Sequence, residues 1–138
     1  MNPGRVNDWR RAARLLLAIT VLAAAVIGGA AVPANAATTA TFRNGVLSVS
    51  GDGGDNTITI SRDAAGRILV NNGAVAVSGG TPTVANTSLI EGFGAAGNDT
   101  ITLNEAGGAL PRANLFGAVG TDTLTGGSGG DQLLGQAG

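Results

Sequence analysis

Two kinds of hydrophobic pattern run along this chain. From Leu15 to Ala31 the residues are uncharged and almost wholly apolar, with no polar face. After residue 36 the apolar runs become short and alternating: Ile58 and Ile60, Ile68 and Val70, Val75 and Val77, with Thr59, Leu69 and Ala76 between them. A period of two puts the apolar side chains on one face of an extended strand. The turn signals between these runs complete the prediction. "TATFR" and "VLSVS" flank Asn44-Gly45, "TITISR" and "RILVN" flank "DAAG", and "AVAVS" at 74–78 follows Asn72-Gly73. Asn-Gly between apolar runs is a strong hairpin signal. The spacing therefore predicts strands joined by hairpins or by successive coils, and no stretch after residue 36 has helical period.

The apolar run at the start belongs to a different kind of segment. Arg5, Arg10, Arg11 and Arg14 precede it, and "PANA" at 33–36 follows with Ala34 and Ala36 in an A-x-A pattern. A basic start, an apolar centre and small residues at the end define a secretory signal peptide, with cleavage expected after Ala36. The alternative is a retained membrane anchor, for which 17 residues lies at the short end of the spanning range. Residues 37–91 are then expected to be a β-rich segment and residues 92–138 a repeat region.

That repeat region is periodic in its glycines. "GAAGNDTIT" from Gly94, "GAVGTDTLT" from Gly117 and "GGSGGDQLL" from Gly126 share Gly at position 1, Gly at 4, Asp at 6 and Ile or Leu at 8. "GQAG" from Gly135 opens a further copy, and "GALPRANLF" from Gly108 fits the phase with Ala113 in place of Asp. "GDGGDNTIT" from Gly51 keeps the frame but carries Asn56 at position 6. A short fixed period is the mark of a repeat architecture. Ile101, Leu115, Leu124 and Leu133 are the expected core positions. The incomplete copy at Gly135 leads to the expectation that the repeats are truncated.

Composition narrows the chemistry. The 138 residues hold no Cys and no His, which excludes disulfides, thiolate metal sites and histidine-dependent nucleophile activation. Residues 37–138 carry four Arg and no Lys against eight acids, a net charge of −4. An acidic surface repels nucleic acid and suits cations. The carboxylates Asp52, Asp55, Asp63, Glu91 and Glu105 stand at scattered positions with no pairing that marks a hydrolase, so the chain is not expected to be an enzyme. "GFGAAG" at 92–97 spells G-x-G-x-x-G, but strand-like "NDTITL" follows where a dinucleotide site needs a helix.

The nonapeptides resemble the RTX, or hemolysin-type calcium-binding, repeat G-G-x-G-x-D-x-U-x, in which U is a large apolar residue. The resemblance covers residues 92–138 and, loosely, Gly51–Thr59. It implies a turn that binds Ca²⁺ followed by a short strand of a parallel β-roll, two nonapeptides to a coil. It also implies which oxygens act: the carbonyls at positions 2 and 4 with the Asp at 6, here Ala95, Gly97 and Asp99; Ala118, Gly120 and Asp122; and Gly127, Gly129 and Asp131. Calcium takes six to eight oxygens, which fits such a donor set. Position 2 departs from the pattern at Ala95 and Ala118, where a left-handed backbone would cost about 1–2 kcal/mol. Ions lying between turns one coil apart would pair Asp99 with Asp122, across a five-residue insertion around Leu103–Gly107, while Asp131 would face Ala113.

The expected fold is therefore all-β: a repeat-built parallel β-roll or β-solenoid in the C-terminal part, preceded by short strands and hairpins, with an N-terminal signal helix. The expected function is secreted, reversible Ca²⁺ binding that orders the coils, with calcium ions as the partner and neither nucleic acid nor membrane engaged after the signal is removed. The competing readings are an architectural β-solenoid or surface scaffold without metal affinity, and a fragment of a larger secreted enzyme or adhesin. A turn-forming Asp that bonds its own backbone explains any single copy without a metal.

Overall fold

A computed structural model describes residues 37–138. The expected signal segment and its helix lie outside the described residues. Ten strands follow in order: β1 (Thr39–Arg43), β2 (Val46–Ser50), β3 (Thr57–Arg62), β4 (Ile68–Val70), β5 (Val77–Ser78), β6 (Leu89–Ala96), β7 (Thr100–Leu103), β8 (Ala113–Val119), β9 (Thr123–Thr125) and β10 (Gln132–Ala137). Single 3-10 turns stand at Asn71–Gly73 and Glu105–Gly107. One sheet has the order β10-β8-β6-β2-β1-β5 and the other β4-β3-β7-β9.

This arrangement corrects the expected fold. The repeats do not build a parallel β-roll of their own; both sheets are mixed, both begin with hairpin strands, and helical turns interrupt the strands. Asn44 and Gly45 take φ of 51° and 79°, the left-handed pair that a tight hairpin needs, and fold β1 antiparallel onto β2. The "DAAG" turn likewise lays β4 antiparallel on β3. Strands β6 and β7 then pair in parallel with β2 and β3, so the repeat strands extend sheets whose first members are hairpins. The "AVAVS" stretch keeps a shorter strand than expected: after the 3-10 turn at Asn71–Gly73, Val75 makes a single antiparallel bridge to Val70, and Val77–Ser78 pairs in parallel with β1.

The alternation read from the sequence places the core. Leu47, Val49, Ile58, Ile60, Ile68, Val70, Ile90, Ile101 and Leu115 are buried between the two sheets. Leu124 packs against that core while half exposed, and Leu133 is 47% exposed, contrary to expectation. The reason is positional: β9 and β10 are the outermost strands, so their inward residues are covered on one side alone. Among the described residues no helix is long and apolar enough to cross a membrane.

Parallel pairing brings the glycine turns into a column. Thr57 lies opposite Thr100 and Thr100 opposite Thr123, which stacks the turns 51–56, 94–99 and 117–122. Across the second interval the register advances by 23 residues, and from Asn114 to Gln132 by 18. The five extra residues form the loop containing the 3-10 turn Glu105–Gly107.

Candidate functional site: a column of glycine–aspartate turns

Position 6 of each turn sits against the next turn in the column. Asn56 N–H donates to Asp99 Oδ1 at 2.7 Å, and Asp99 N–H donates to Asp122 Oδ1 at 2.9 Å. Thus each carboxylate ties its turn to the one before it. A second ladder runs the other way through position 5: Asn98 N–H donates to Asp55 Oδ1 at 2.7 Å and Thr121 N–H to Asn98 Oδ1 at 2.9 Å. This second ladder is not part of the expected site. Its signal was present as a polar residue at position 5 of each stacked copy, although chemistry alone does not mark such a residue as a bridge.

Glycine at position 1 is required by the close approach of these groups. A Cβ on Gly94 would collide with the Asp99 carboxylate and lie 2.7 Å from the Gly117 carbonyl oxygen. At Gly117 it would collide with the Asp122 carboxylate. At position 4, a Cβ on Gly120 would strike the Gly97 carbonyl oxygen, so that carbonyl is directed along the column toward the following turn.

The turns fall into two classes. In 51–56 and 126–131 the position-2 N–H closes on the position-6 side chain: Asp52 N–H donates to Asn56 Oδ1 at 3.2 Å, and Gly127 N–H to Asp131 Oδ2 at 2.6 Å. In 94–99 and 117–122 position 2 is left-handed instead, with φ of 86° at Ala95 and 78° at Ala118. There the second carboxylate oxygens, Asp99 Oδ2 and Asp122 Oδ2, are buried and have no hydrogen-bond partner. A buried carboxylate oxygen without a donor is costly and calls for a proton or a cation. Asp99 is 1% exposed. Burial pushes its carboxyl above the ordinary carboxylate range; the Asn56 N–H opposes that rise, and the neighbouring Asp122 and Asp55 charges add to it.

Comparison with protein-family models, curated proteins and solved structures finds no match. The assignment of chemistry therefore rests on the turns themselves.

Of the three expected aspartates, Asp99 and Asp122 are adjacent in one column. Asp131 stands elsewhere, facing Ala113, whose N–H it accepts at 2.7 Å; with Gly127 N–H on its other oxygen, both oxygens have donors. Gly129 lies beside Arg112 and Asp131 in that separate turn. Glu105, which carried no positional signal because it lies in the insertion, clamps the same turn. Its Oε2 accepts Ser128 N–H at 2.9 Å and its Oε1 accepts Leu110 N–H at 2.8 Å. The Leu110 and Ser128 donors hold its carboxyl below the usual range. Among the described residues no three carboxylates converge, so a cation between Asp99 and Asp122 would draw its remaining oxygens from the main chain or from water.

Proposed function

We propose that the protein binds Ca²⁺ at the stacked turns 94–99 and 117–122, and that binding stabilises the fold. The observation that carries this reading is the pair of buried, unpartnered oxygens, Asp99 Oδ2 and Asp122 Oδ2. Each aspartate is already oriented by a main-chain N–H of the preceding turn, which its Oδ1 accepts. The second oxygen of each is left to a ligand. The donor chemistry is oxygen throughout, which suits a hard cation and excludes soft-metal sites. A bound Ca²⁺ would supply neutralising charge to both carboxylates, of which Asp99 is the one that burial disfavours as an ion. Because the unfolded chain does not hold these turns together, binding free energy becomes folding free energy. The carbonyls of Ala95, Gly97, Ala118 and Gly120 are the nearby main-chain candidates for the remaining positions. Export through the segment 1–36 would place the protein where millimolar calcium is available.

A second reading, a scaffold that needs no ion, is favoured by the Oδ1 bridges and by the 126–131 turn, where the Asp131 oxygens are fully used by main-chain donors. Thermal unfolding of the full chain in Ca²⁺ and in EDTA separates the two. At a hundredfold excess over Kd, binding adds about 2.7 kcal/mol of stability. Calcium binding predicts a clear rise in Tm that Asp99→Asn with Asp122→Asn removes and Asp131→Asn leaves in place. Equal Tm in Ca²⁺ and EDTA would favour the scaffold.

A further inference from the structure

The β1–β2 hairpin carries Ala37 to the first turn of the column. Thr39 lies opposite Ser50, and two residues further along each side Ala37 meets Asp52. There Ala37 N–H donates to Asp52 Oδ2 at 2.6 Å. The other oxygen of that carboxylate is used within the turn: Asp52 Oδ1 accepts Gly54 N–H at 3.0 Å and the Asn56 Nδ2 amide at 3.2 Å. These donors, Ala37 first, hold the Asp52 carboxyl below the usual range.

This turn differs from the two stacked after it. Its position 6 is Asn56, whose amide donates to Asp52 and to the Gly54 carbonyl and accepts Asp52 N–H. An ionised Asp in its place has no donor and would set a second carboxylate against Asp52. Two carboxylates remain in the turn. Asp55 accepts Asn98 N–H, and Asp52 turns its Oδ2 to Ala37. Among the described residues the one ion pair is Arg67–Asp63, so no guanidinium neutralises Asp52, and the chain has no lysine.

We infer, on the export reading proposed above, that cleavage after Ala36 makes Ala37 the mature amino terminus and that its ammonium group pairs with the Asp52 carboxylate, anchoring the first turn of the column. Ala34 and Ala36, the A-x-A residues, place the cut at the Ala36–Ala37 bond. Hydrolysis there by a signal peptidase adds one water: its oxygen stays on the Ala36 carboxylate, and its two protons convert the Ala37 amide nitrogen to an ammonium. A neutral donor already within hydrogen-bond distance of Asp52 Oδ2 thereby becomes a charged one, and charge-assisted bonds are the stronger kind. The contact continues into the column, because Asn56, bonded to Asp52 through both atoms of its amide, donates its main-chain N–H to Asp99 Oδ1. Processing adds the positive charge that this turn lacks, and calcium binding is not required for it.

The lack of lysine makes the test direct, since the α-amine of the processed protein is its sole primary amine. The full chain is expressed in a bacterial host that exports it, and the exported protein is weighed by intact mass spectrometry. Its acylation by an amine-reactive ester is then timed at neutral pH in EDTA, beside the free peptide ATTA, residues 37–40. Only the neutral amine reacts, and an ion-paired ammonium gives up its proton less readily. A mass beginning at Ala37 is expected, with acylation about threefold slower than that of the peptide, the size set by an exposed ion pair. High salt should bring the rate toward the peptide's, because exposed charges are screened. Asp52→Asn, exported in the same way, should react at the peptide's rate; if that variant does not fold, wild type unfolded in urea takes its place. A chain that keeps residues 1–36 would overturn the export reading and the pairing together, and a terminus at another residue would overturn the pairing. An Ala37 terminus that reacts as fast as the peptide, or that reacts slowly with no response to salt and none to Asp52→Asn, would overturn the pairing and leave export standing.

Discussion

At Ala95 and Ala118 the main chain adopts φ of 86° and 78°, a region in which a Cβ costs about 1–2 kcal/mol. Glycine removes that cost but loses more entropy on folding, about 0.5–1 kcal/mol. Ala95→Gly should therefore leave stability unchanged or raise it by up to about 1 kcal/mol, whereas Ala113→Gly, in a buried strand position with ordinary backbone, should lower it; chemical denaturation of the two variants checks the contrast. Asp99 gives a pH prediction at the same scale. Its folded-state pKa is raised, so the folded protein binds the proton more tightly than the unfolded chain. The stabilising effect of that proton is present in acid and is lost as pH rises from the ordinary value of 3.8 through the raised one. Asp63, paired with Arg67 at 2.8 Å, and Glu105 are shifted downward and act in the opposite sense, losing stability as pH falls. In EDTA, the stability difference between wild type and Asp99→Asn should move in favour of the variant as pH rises from about 4 to about 7. A difference that is flat with pH would contradict the burial of this carboxyl.

Strand identity decides what a large apolar residue contributes. Leu115 in β8 is fully buried between β6 and β10, whereas Leu133 in β10 has a neighbour on one side alone. Leu115→Ala should cost about 2–5 kcal/mol, as core truncations do. Leu133→Ala should cost well under half of that, and urea midpoints measure both. This difference also marks how much the sequence could tell. Alternation placed Ile58, Ile60, Ile68 and Val70 in the core because a period of two is a local property of an extended strand, and position 8 of the repeat placed Ile101 and Leu115 there. The Asn44-Gly45 hairpin was legible for the same reason, since two residues carry the whole turn signal. Leu133 was misplaced because burial depends on whether another strand follows in the sheet. The mixed sheets were missed because pairing of β2 with β6 and of β3 with β7 spans 43 residues and leaves no local trace. At the site, the match of Asp99 to Asp122 followed from repeat spacing, while the Glu105 clamp came from an insertion that no repeat describes.

Across the whole molecule, two hairpins start two sheets, and the later glycine–aspartate segments extend both in parallel. One end of the sheets holds the hairpin strands, with β5 and β4 at the edges, and the other ends in the repeat strands β10 and β9. The column of turns concentrates carboxylates in a region that carries a net charge of −4 over residues 37–138 and no lysine. In the proposed function, a divalent cation would neutralise that column without ordering a long side chain. The most direct measurement is isothermal titration calorimetry of the full chain with Ca²⁺, with Mg²⁺ as control and Asp99→Asn/Asp122→Asn alongside. Saturable, calcium-selective heat that the double variant loses is expected. Heat that is absent, or that persists undiminished in the double variant, would contradict a calcium site at these two turns.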